Sequence, residues 1–345
     1  MSALLFNQLV QFVAGIAILI FVHELGHFLA ARLFKVEVEE FGIGFPPRLL
    51  NLFEAGGTKF TLNWIPLGGF TKLKGENDPN VKGGLAAASP WVRLGVIVAG
   101  PLTNLLVGIL LAILLVYNIG EPIPDRVKIQ YVAPQSPAET AGIQPGDVII
   151  KVEDQEIKST ELILKTIYGR LGTPTKISYQ RGGQTYSVTL TPRNPPPANE
   201  GAIGVIIGNE NRPITWIKAI PSGVKVAYQY STLLLLLPVN LLRGNITPEQ
   251  ARPVGYKGMF DIYQQLRDPI LFFMMITMSL GMFNLFPIPA LDGGRILLTL
   301  PEIIFRRRVP PQYENMIHMV GFAVLLLLLI YINLQDFINP VKLPF

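Results

Sequence analysis

Four long stretches of the chain are apolar enough to cross a lipid bilayer, and more polar segments separate them. They cover residues 4–34, 94–117, 269–286 and 316–334, and each offers roughly the 20 residues that a spanning helix needs. A fifth stretch, residues 226–242, is uncharged but contains Pro238 and several polar side chains, so we interpret it as an interfacial helix. The pattern predicts a polytopic α-helical membrane protein with four transmembrane helices.

The segment between the first two spans has the pattern of short β-strands. Apolar and polar residues alternate over residues 36–39 and 60–64, a Pro/Gly turn follows at 66–69, and residues 70–74 can return as a partner strand. Because the segment is unusually apolar, we expect a loop that re-enters the membrane, where protein or a water-filled cavity must cover its backbone. An ordinary β-hairpin outside the membrane is the alternative.

The long segment between the second and third spans is predicted to form a soluble α+β module. Strand-like runs are separated by Gly/Pro turns, and residues 160–169 are predicted to be a helix capped by Ser159 or Thr160. Residues 136–149 combine a short helix, a Pro-Gly-Asp turn and a strand, and this stretch resembles the PDZ family. The resemblance implies a domain that binds extended peptides by strand addition.

Composition and charge agree with a membrane protein. Of the 345 residues, 50% are hydrophobic and 15% are charged, whereas soluble domains average about 25% charged. The net charge is +5, but the basic residues form no stripe interleaved with aromatic residues, so nucleic acid is not a predicted partner. The absence of cysteine excludes disulfides and Cys-ligated metals. The N-terminus lacks a basic n-region, so we do not expect a cleaved signal peptide.

The distribution of Lys and Arg predicts the orientation in the membrane. Residues 32–93 hold eight basic residues, the loop at 295–315 holds four, the N-terminal tail holds none, and the C-terminal tail holds only Lys342. The positive-inside rule therefore places both basic loops in the cytoplasm and both termini outside. Residues 120–268 then lie outside, where the length of the segment exempts its charges from the rule.

The first predicted span carries the motif His23-Glu24-Leu25-Gly26-His27. Residues four apart share one face of a helix, so His23 and His27 can offer two imidazoles to one tetrahedral zinc. Glu24 is placed to take a proton from a water at the metal. The alternative is a set of structural polar side chains, which is unfavourable because lipid offers them no solvation.

A second polar motif, Asn284 to Gly294, closes the third predicted span. Pro287 and Pro289 cannot continue a helix, so the chain must unwind at membrane depth. A catalytic zinc has three protein ligands and an open position, and charge and depth make Asp292 the third candidate. The alternative is a Pro/Gly helix terminus with Asp292 merely solvated. His318, at the start of the fourth span, is expected to be interfacial.

Together these motifs resemble the site-2 protease family of zinc intramembrane metalloproteases, in its bacterial branch with a single PDZ domain. Further similar stretches are the glycine-rich segment 41–46, the β-loop 58–74 and the Gly-Pro-x-x-Asn motif at 100–104. The resemblance implies that His23, His27 and Asp292 hold Zn²⁺ and that Glu24 is the general base. One departure is Arg295, where relatives often carry His.

The resemblance also implies how substrate is bound. Asn284 and Asn104 would bind or polarise the substrate near the metal, and an edge strand with Gly68, Gly69 and Phe70 would hold an unwound chain. Expected substrates are single-span proteins already cut by another protease, such as anti-sigma factors or remnant signal peptides. The expected location is the bacterial inner membrane, with the active site toward the cytoplasm and the PDZ domain outside.

The predicted organisation follows from these assignments. In the first half it comprises a transmembrane helix (1–35), a cytoplasmic-side β segment with a re-entrant loop (36–90), a second transmembrane helix (91–118) and a PDZ domain (122–209). In the second half it comprises interfacial helices (213–268), a third transmembrane helix with the Pro/Gly motif (269–294), a cytoplasmic loop (295–315) and a fourth transmembrane helix (316–335).

Two other classes of protein compete with a protease. A catalytically inactive PDZ scaffold would not need the complete set of His23, Glu24, His27 and Asp292. A metal transporter would distribute its polar side chains over several spans along a path, whereas here they are predicted to converge at one depth.

Overall fold

The computed structural model describes residues 3–197, 201–248, 251–266 and 268–341. The chain divides into two compact units, one of residues up to Leu115 together with those from Ile220 to Lys342, the other containing Val116–Ala219. The helices are α1 (Ala3–Leu33), α2 (Pro90–Ile119), α3 (Pro137–Thr140), α4 (Thr160–Tyr168), α5 (Trp216–Leu242), α6 (Tyr256–Gln265), α7 (Pro269–Leu285), α8 (Asp292–Phe305) and α9 (Pro311–Ile338). The strands are β1 (Val38–Ala55), β2 (Thr58–Leu73), β3 (Glu121–Val132), β4 (Val148–Val152), β5 (Gln155–Glu156), β6 (Thr175–Arg181), β7 (Gln184–Leu190) and β8 (Val205–Arg212).

Among the described residues, three helices are long and apolar enough to span a membrane: Leu5–Leu33 within α1, Pro90–Ile119 and Pro311–Ile338. Where a fourth span was predicted, α7 is an apolar helix of 17 residues. It is short because both ends are fixed. Asp268 caps its first turn by accepting hydrogen bonds from the Ile270 and Leu271 amides, and the Pro287 ring prevents continuation beyond Phe286.

The helix α5 differs most from its prediction. It runs unbroken from Trp216 to Leu242 and contains Pro221 and Pro238, whereas a shorter interfacial helix was expected at 226–242. Part of α5 packs against its neighbours, since Ala227 lies in a buried cluster with Ala112 of α2 and Met274 of α7. Tertiary packing therefore extends this helix past residues that on their own favour a break.

The hairpin of β1 and β2 is curled, and one stretch of β1 has strand partners on both edges. Gly42 pairs with Thr61 on one side and with Phe70 on the other, because β2 turns back at Gly68, whose φ is 115°. The register places residues 69–72 at the outer edge of the sheet, with β1 as their strand partner. Several apolar side chains of the hairpin are exposed, among them Leu50, Phe53 and Trp64.

The second unit is built on a sheet with strand order β7-β6-β4-β3-β8, and β5 pairs with β4. Its core contains Ile129, Ile149 and Ile177 from the sheet and Ile163 from α4. Ser159 caps α4 by accepting a hydrogen bond from the Leu162 amide, one of the two caps predicted from the sequence. The strand β8, which pairs with β3, was not predicted.

Candidate metal centre and active site

Three side chains from α1 and α8 converge at one point. His23 Nε2 lies 3.2 Å from His27 Nε2, and Asp292 Oδ2 lies 3.1 Å from the first and 3.4 Å from the second. Both histidines are buried, and Asp292 Oδ2 is a buried oxygen without a hydrogen-bond partner among the described residues. This is the cluster of His and carboxylate side chains within the described ranges that could hold a metal ion.

The donor set and its spacing fit zinc. Zinc–nitrogen and zinc–oxygen bonds near 2.0–2.1 Å in a tetrahedron place neighbouring ligand atoms about 3.3 Å apart. The three observed separations, 3.1, 3.2 and 3.4 Å, lie close to that value. Three ligands of this kind also leave the fourth position that a catalytic zinc keeps open. His23, His27 and Asp292 therefore match a catalytic zinc site, whereas a transport path would spread such groups along several spans.

The helix α1 provides two of the ligand atoms, and α2 orients His27. His27 Nδ1 lies 2.9 Å from the carbonyl oxygen of Val96, so Nδ1–H is the donor and Nε2 is free to bind a metal. Gly100 of α2 makes room for the imidazole, because a Cβ there would lie 2.3 Å from His27 Nε2.

His23 is oriented by Asn104, a fully buried residue of α2. The Asn104 amide nitrogen lies 3.1 Å from His23 Nδ1, and Asn104 Oδ1 has no hydrogen-bond partner in the described parts of the chain. Rotating the amide by half a turn exchanges the two atoms, so that Oδ1 accepts from Nδ1–H and His23 Nε2 becomes free for a metal. The peptide oxygen of Asn104 in turn accepts a hydrogen bond from Thr277 Oγ1 of α7.

Asp292 is the first residue of α8, at the end of the unwound segment that follows α7. Its carboxylate benefits from the positive N-terminal end of that helix. The segment folds back tightly over α8, and this requires glycine at position 293, where a Cβ would lie 1.9 Å from the carbonyl oxygen of Phe286. Just before Asp292, Ala290 has a φ of 72°, a left-handed conformation that non-glycine residues seldom adopt.

Glu24 lies beside the ligand atoms, in the wall of a cavity of about 290 Å³ that His23, His27 and Asp292 also line. The strand β2 reaches the same place, because Thr71 Oγ1 donates a hydrogen bond of 2.9 Å to the backbone carbonyl of Glu24. The outer edge of the curled sheet is thereby attached to the helix that carries the histidines.

The other residues predicted to contact substrate take different positions. Asn284 and Phe70 line the cavity, and Asn284 Nδ2 also donates to the carbonyl of Leu280. A Cβ at Gly69 would lie 3.7 Å from Glu24 Cγ, while Gly68 lies against Ile20 and Phe45. Asn104 does not line the cavity. It contacts His23 Nδ1, and this position suits a residue that orients a metal ligand better than one that binds substrate.

Several residues at the site were not anticipated from the sequence. Thr71 attaches β2 to α1, and Arg295 forms an ion pair with Glu76 at the cavity wall. His318, expected to be interfacial, accepts a hydrogen bond from the Ala290 amide. The sequence offered one signal for these contacts, namely that Arg295 stands one helical turn after Asp292 and therefore shares its face.

Two histidines and a glutamate on an apolar helix, together with an aspartate at the start of α8, form the site expected of a membrane metallopeptidase. The model of peptidase family M50 matches residues 11–328. The chain belongs to this family, the site-2 proteases, and is a zinc metalloprotease of the membrane. The predictions of family, enzyme class and zinc cofactor are thereby confirmed.

Relatives cover almost the whole chain. Two that are each named "Putative zinc metalloprotease" come from Clostridium perfringens and Campylobacter jejuni. The first is 30% identical over 335 residues, which is 94% of this chain and 96% of the relative. The second is 33% identical over 343 residues, which is 93% of this chain and 90% of the relative. Among solved structures, the PDZ domain of an SdrC-like protein from Listeria monocytogenes matches with a TM-score of 0.22 and 22% identity, covering 25% of this chain and 90% of that domain.

Proposed function

We propose that this metalloprotease is an intramembrane endopeptidase that cleaves the transmembrane segments of single-span proteins. One observation carries the proposal: two of the three proposed ligands, His23 and His27, lie with Glu24 on α1, within a stretch long and apolar enough to span the membrane, and the strand edge at 69–72 reaches the same cavity. Polar groups are costly inside a membrane, and an enzyme that cleaved soluble peptides would gain nothing from placing its catalytic groups there.

The roles of the side chains follow from their positions. His23, His27 and Asp292 hold the zinc, with Asn104 and the Val96 carbonyl fixing the two imidazoles. When bound, zinc supplies a Lewis acid that polarises the scissile carbonyl and lowers the pKa of water to about 7. The Glu24 carboxylate accepts a proton from the attacking water and delivers it to the leaving amine nitrogen.

The substrate is held as an extended chain. In a membrane helix every amide is bonded within the helix, so the segment must unwind before a carbonyl can be attacked. The edge at 69–72 can replace the lost hydrogen bonds by strand addition. Phe70, which belongs to this edge, and Asn284 both line the cavity, where they would contact side chains and main chain near the scissile bond.

The charge distribution supports one orientation of this protein in a bacterial inner membrane. The basic loops would face the cytoplasm, and the 121–212 module would face the other side and act as a PDZ domain. There it would exclude large ectodomains, so that proteins already shortened by another protease are the preferred substrates. Replacing residues 125–208 with a short flexible linker should leave zinc content unchanged and permit cleavage of an untrimmed substrate. A zinc-loaded deletion variant that still rejects untrimmed substrates would contradict this role.

Disulfide trapping tests the central proposal, because the chain has no cysteine of its own. Phe70→Cys would be combined with Glu24→Gln, and single cysteines would be scanned through the transmembrane segment of a single-span protein in the same vesicles. An extended substrate on the edge should cross-link at every second position, whereas a helix should cross-link at every third or fourth position. Leu50→Cys, on the exposed part of the hairpin, is the control. A helical period at Phe70, or no cross-link above the control, would overturn the proposal.

A further inference from the structure

The last apolar helix, α9, supplies none of the proposed zinc ligands but contacts the segment that leads directly into one of them, Asp292. His318 Nδ1 accepts a hydrogen bond of 3.0 Å from the backbone amide of Ala290, two residues before Asp292. The contact is localised, since most α9 side chains between Met319 and Ile330 are exposed. The helix therefore acts on this loop through a small number of side chains near its N-terminal end.

The hydrogen bond from Ala290 holds a costly backbone conformation. Ala290 has a φ of 72°, and a left-handed conformation is unfavourable for a residue with a Cβ, because the Cβ comes too close to the following carbonyl oxygen. The amide that His318 accepts is the amide of this same residue. Without His318 as the acceptor, Ala290 can relax toward negative φ. The backbone direction at Asp292 would then change, and its carboxylate would move relative to the two histidines.

One helical turn after His318, Gly321 sets the distance between α9 and the segment. A Cβ at Gly321 would lie 2.4 Å from Pro289 Cβ and 2.9 Å from the Pro289 carbonyl carbon. Residues three apart lie on one face of a helix, so His318 and Gly321 press together on Pro289 and Ala290. The close approach allowed by Gly321 brings Nδ1 of His318 within hydrogen-bond distance of the amide.

We infer that α9 is a buttress for the metal centre and that His318 and Gly321 are positioning residues for Asp292. The inference rests on the proposed role of Asp292 as a zinc ligand. It assigns to the last apolar helix a control over zinc affinity, although that helix contributes no ligand atom. An outer residue that orients a ligand changes metal affinity by about 10–100-fold when it is removed.

The imidazole of His318 uses Nδ1 as its acceptor, and Nε2 has no hydrogen-bond partner within the described residues. An asparagine carries an acceptor oxygen near the position of Nδ1, whereas a leucine of similar size carries none. His318→Asn should therefore preserve the contact, and His318→Leu should abolish it. Met319→Leu changes an exposed neighbour on another face of α9 and is the matched control.

The test is a zinc-affinity measurement by competition with a chelator, on purified full-length variants whose monodispersity is checked first. His318→Leu should weaken zinc binding by about tenfold or more, and His318→Asn and Met319→Leu should stay within about threefold of wild type. Gly321→Ala, a second route to the same displacement, should also weaken binding. Adding Ala290→Gly to His318→Leu should recover affinity, because glycine adopts positive φ without steric cost.

Two outcomes would overturn the inference: His318→Leu binding zinc as tightly as wild type, or no recovery on adding Ala290→Gly. Asp292→Ala is measured in parallel to separate the two levels of the argument. Loss of zinc in Asp292→Ala with normal affinity in His318→Leu would refute the buttress alone. Full zinc binding by Asp292→Ala would refute the proposed metal site as well.

Discussion

His23 Nε2 lies 3.1 Å from Asp292 Oδ2, although the two residues stand near opposite ends of the chain. The pair joins the first long apolar helix to the N-terminus of α8, so the proposed metal centre exists only when these helices have packed together. Zinc binding and correct packing of this unit are therefore thermodynamically linked.

Asp292→Ala should lose zinc, because two histidines alone do not complete the three-ligand set of a catalytic site. The measurement is the metal content of purified protein after dialysis against a weak chelator. Asp78→Ala, which alters an exposed carboxylate in the loop before α2, should keep its zinc. Wild-type metal content in Asp292→Ala would exclude this residue as a ligand.

Glu24→Gln should keep zinc while cleavage falls by roughly 10²–10⁴-fold, since the amide cannot accept the proton. Metal content and cleavage of a single-span substrate are measured on the same preparation. Glu54→Gln, at an exposed position in the hairpin, should behave as wild type. Robust turnover by Glu24→Gln would assign the proton transfer to another group.

Asn104→Leu should weaken zinc binding by about 10–100-fold, because His23 loses the acceptor that fixes its tautomer. Asn104→Asp retains an acceptor oxygen and should stay close to wild type in zinc affinity. The substrate-binding role predicted from the sequence gives a different result, an increase in KM at full zinc occupancy. Measuring zinc affinity and KM on the same variant decides whether Asn104 orients His23 or binds the substrate.

The Arg295–Glu76 ion pair should affect catalysis without affecting metal binding, because both side chains line the cavity and neither supplies a proposed ligand atom. Arg295→Glu and Glu76→Arg should each lower kcat/KM, and the double variant should recover part of the loss. Both side chains are partly exposed, so the coupling is expected to be about 1 kcal/mol, or roughly fivefold in kcat/KM. Strictly additive single effects would show that the pair is not coupled.

Single cysteines at Lys82 and Gln184 test the orientation in the membrane. The eight basic residues of 32–93 predict a cytoplasmic Lys82, and the length of 120–268 allows Gln184 to lie outside. An impermeant thiol reagent added to intact cells should label the cysteine at 184 and spare the one at 82. The reverse pattern would invert the proposed topology.

The local parts of the site could be predicted, because they depend on spacing within one element. His23 and His27 are one helical turn apart, and Pro287 and Pro289 must end a helix wherever they occur. The contacts that join elements could not be predicted from a single sequence. Thr71 reaches the Glu24 carbonyl and His318 reaches the Ala290 amide only through tertiary packing, and neither residue belongs to a local pattern.

The fold shows the same division. The apolar helices were predicted from composition, but their limits depend on neighbours, as the length of α5 and the brevity of α7 show. The turn at Gly68 was predicted as part of a Pro/Gly cluster. The pairing of Gly42 with both Thr61 and Phe70 was not, since register depends on contacts that alternation alone does not specify.

The strand edge at 69–72 has a consequence for how substrates would be chosen. If this edge holds the cleaved chain through main-chain hydrogen bonds, binding depends little on which side chains the substrate carries. Selection then depends on the free energy needed to open a helix locally, which Gly and Pro lower and Leu-rich runs raise. Such an enzyme would select its substrates by how easily their membrane helices unfold locally rather than by a recognition sequence.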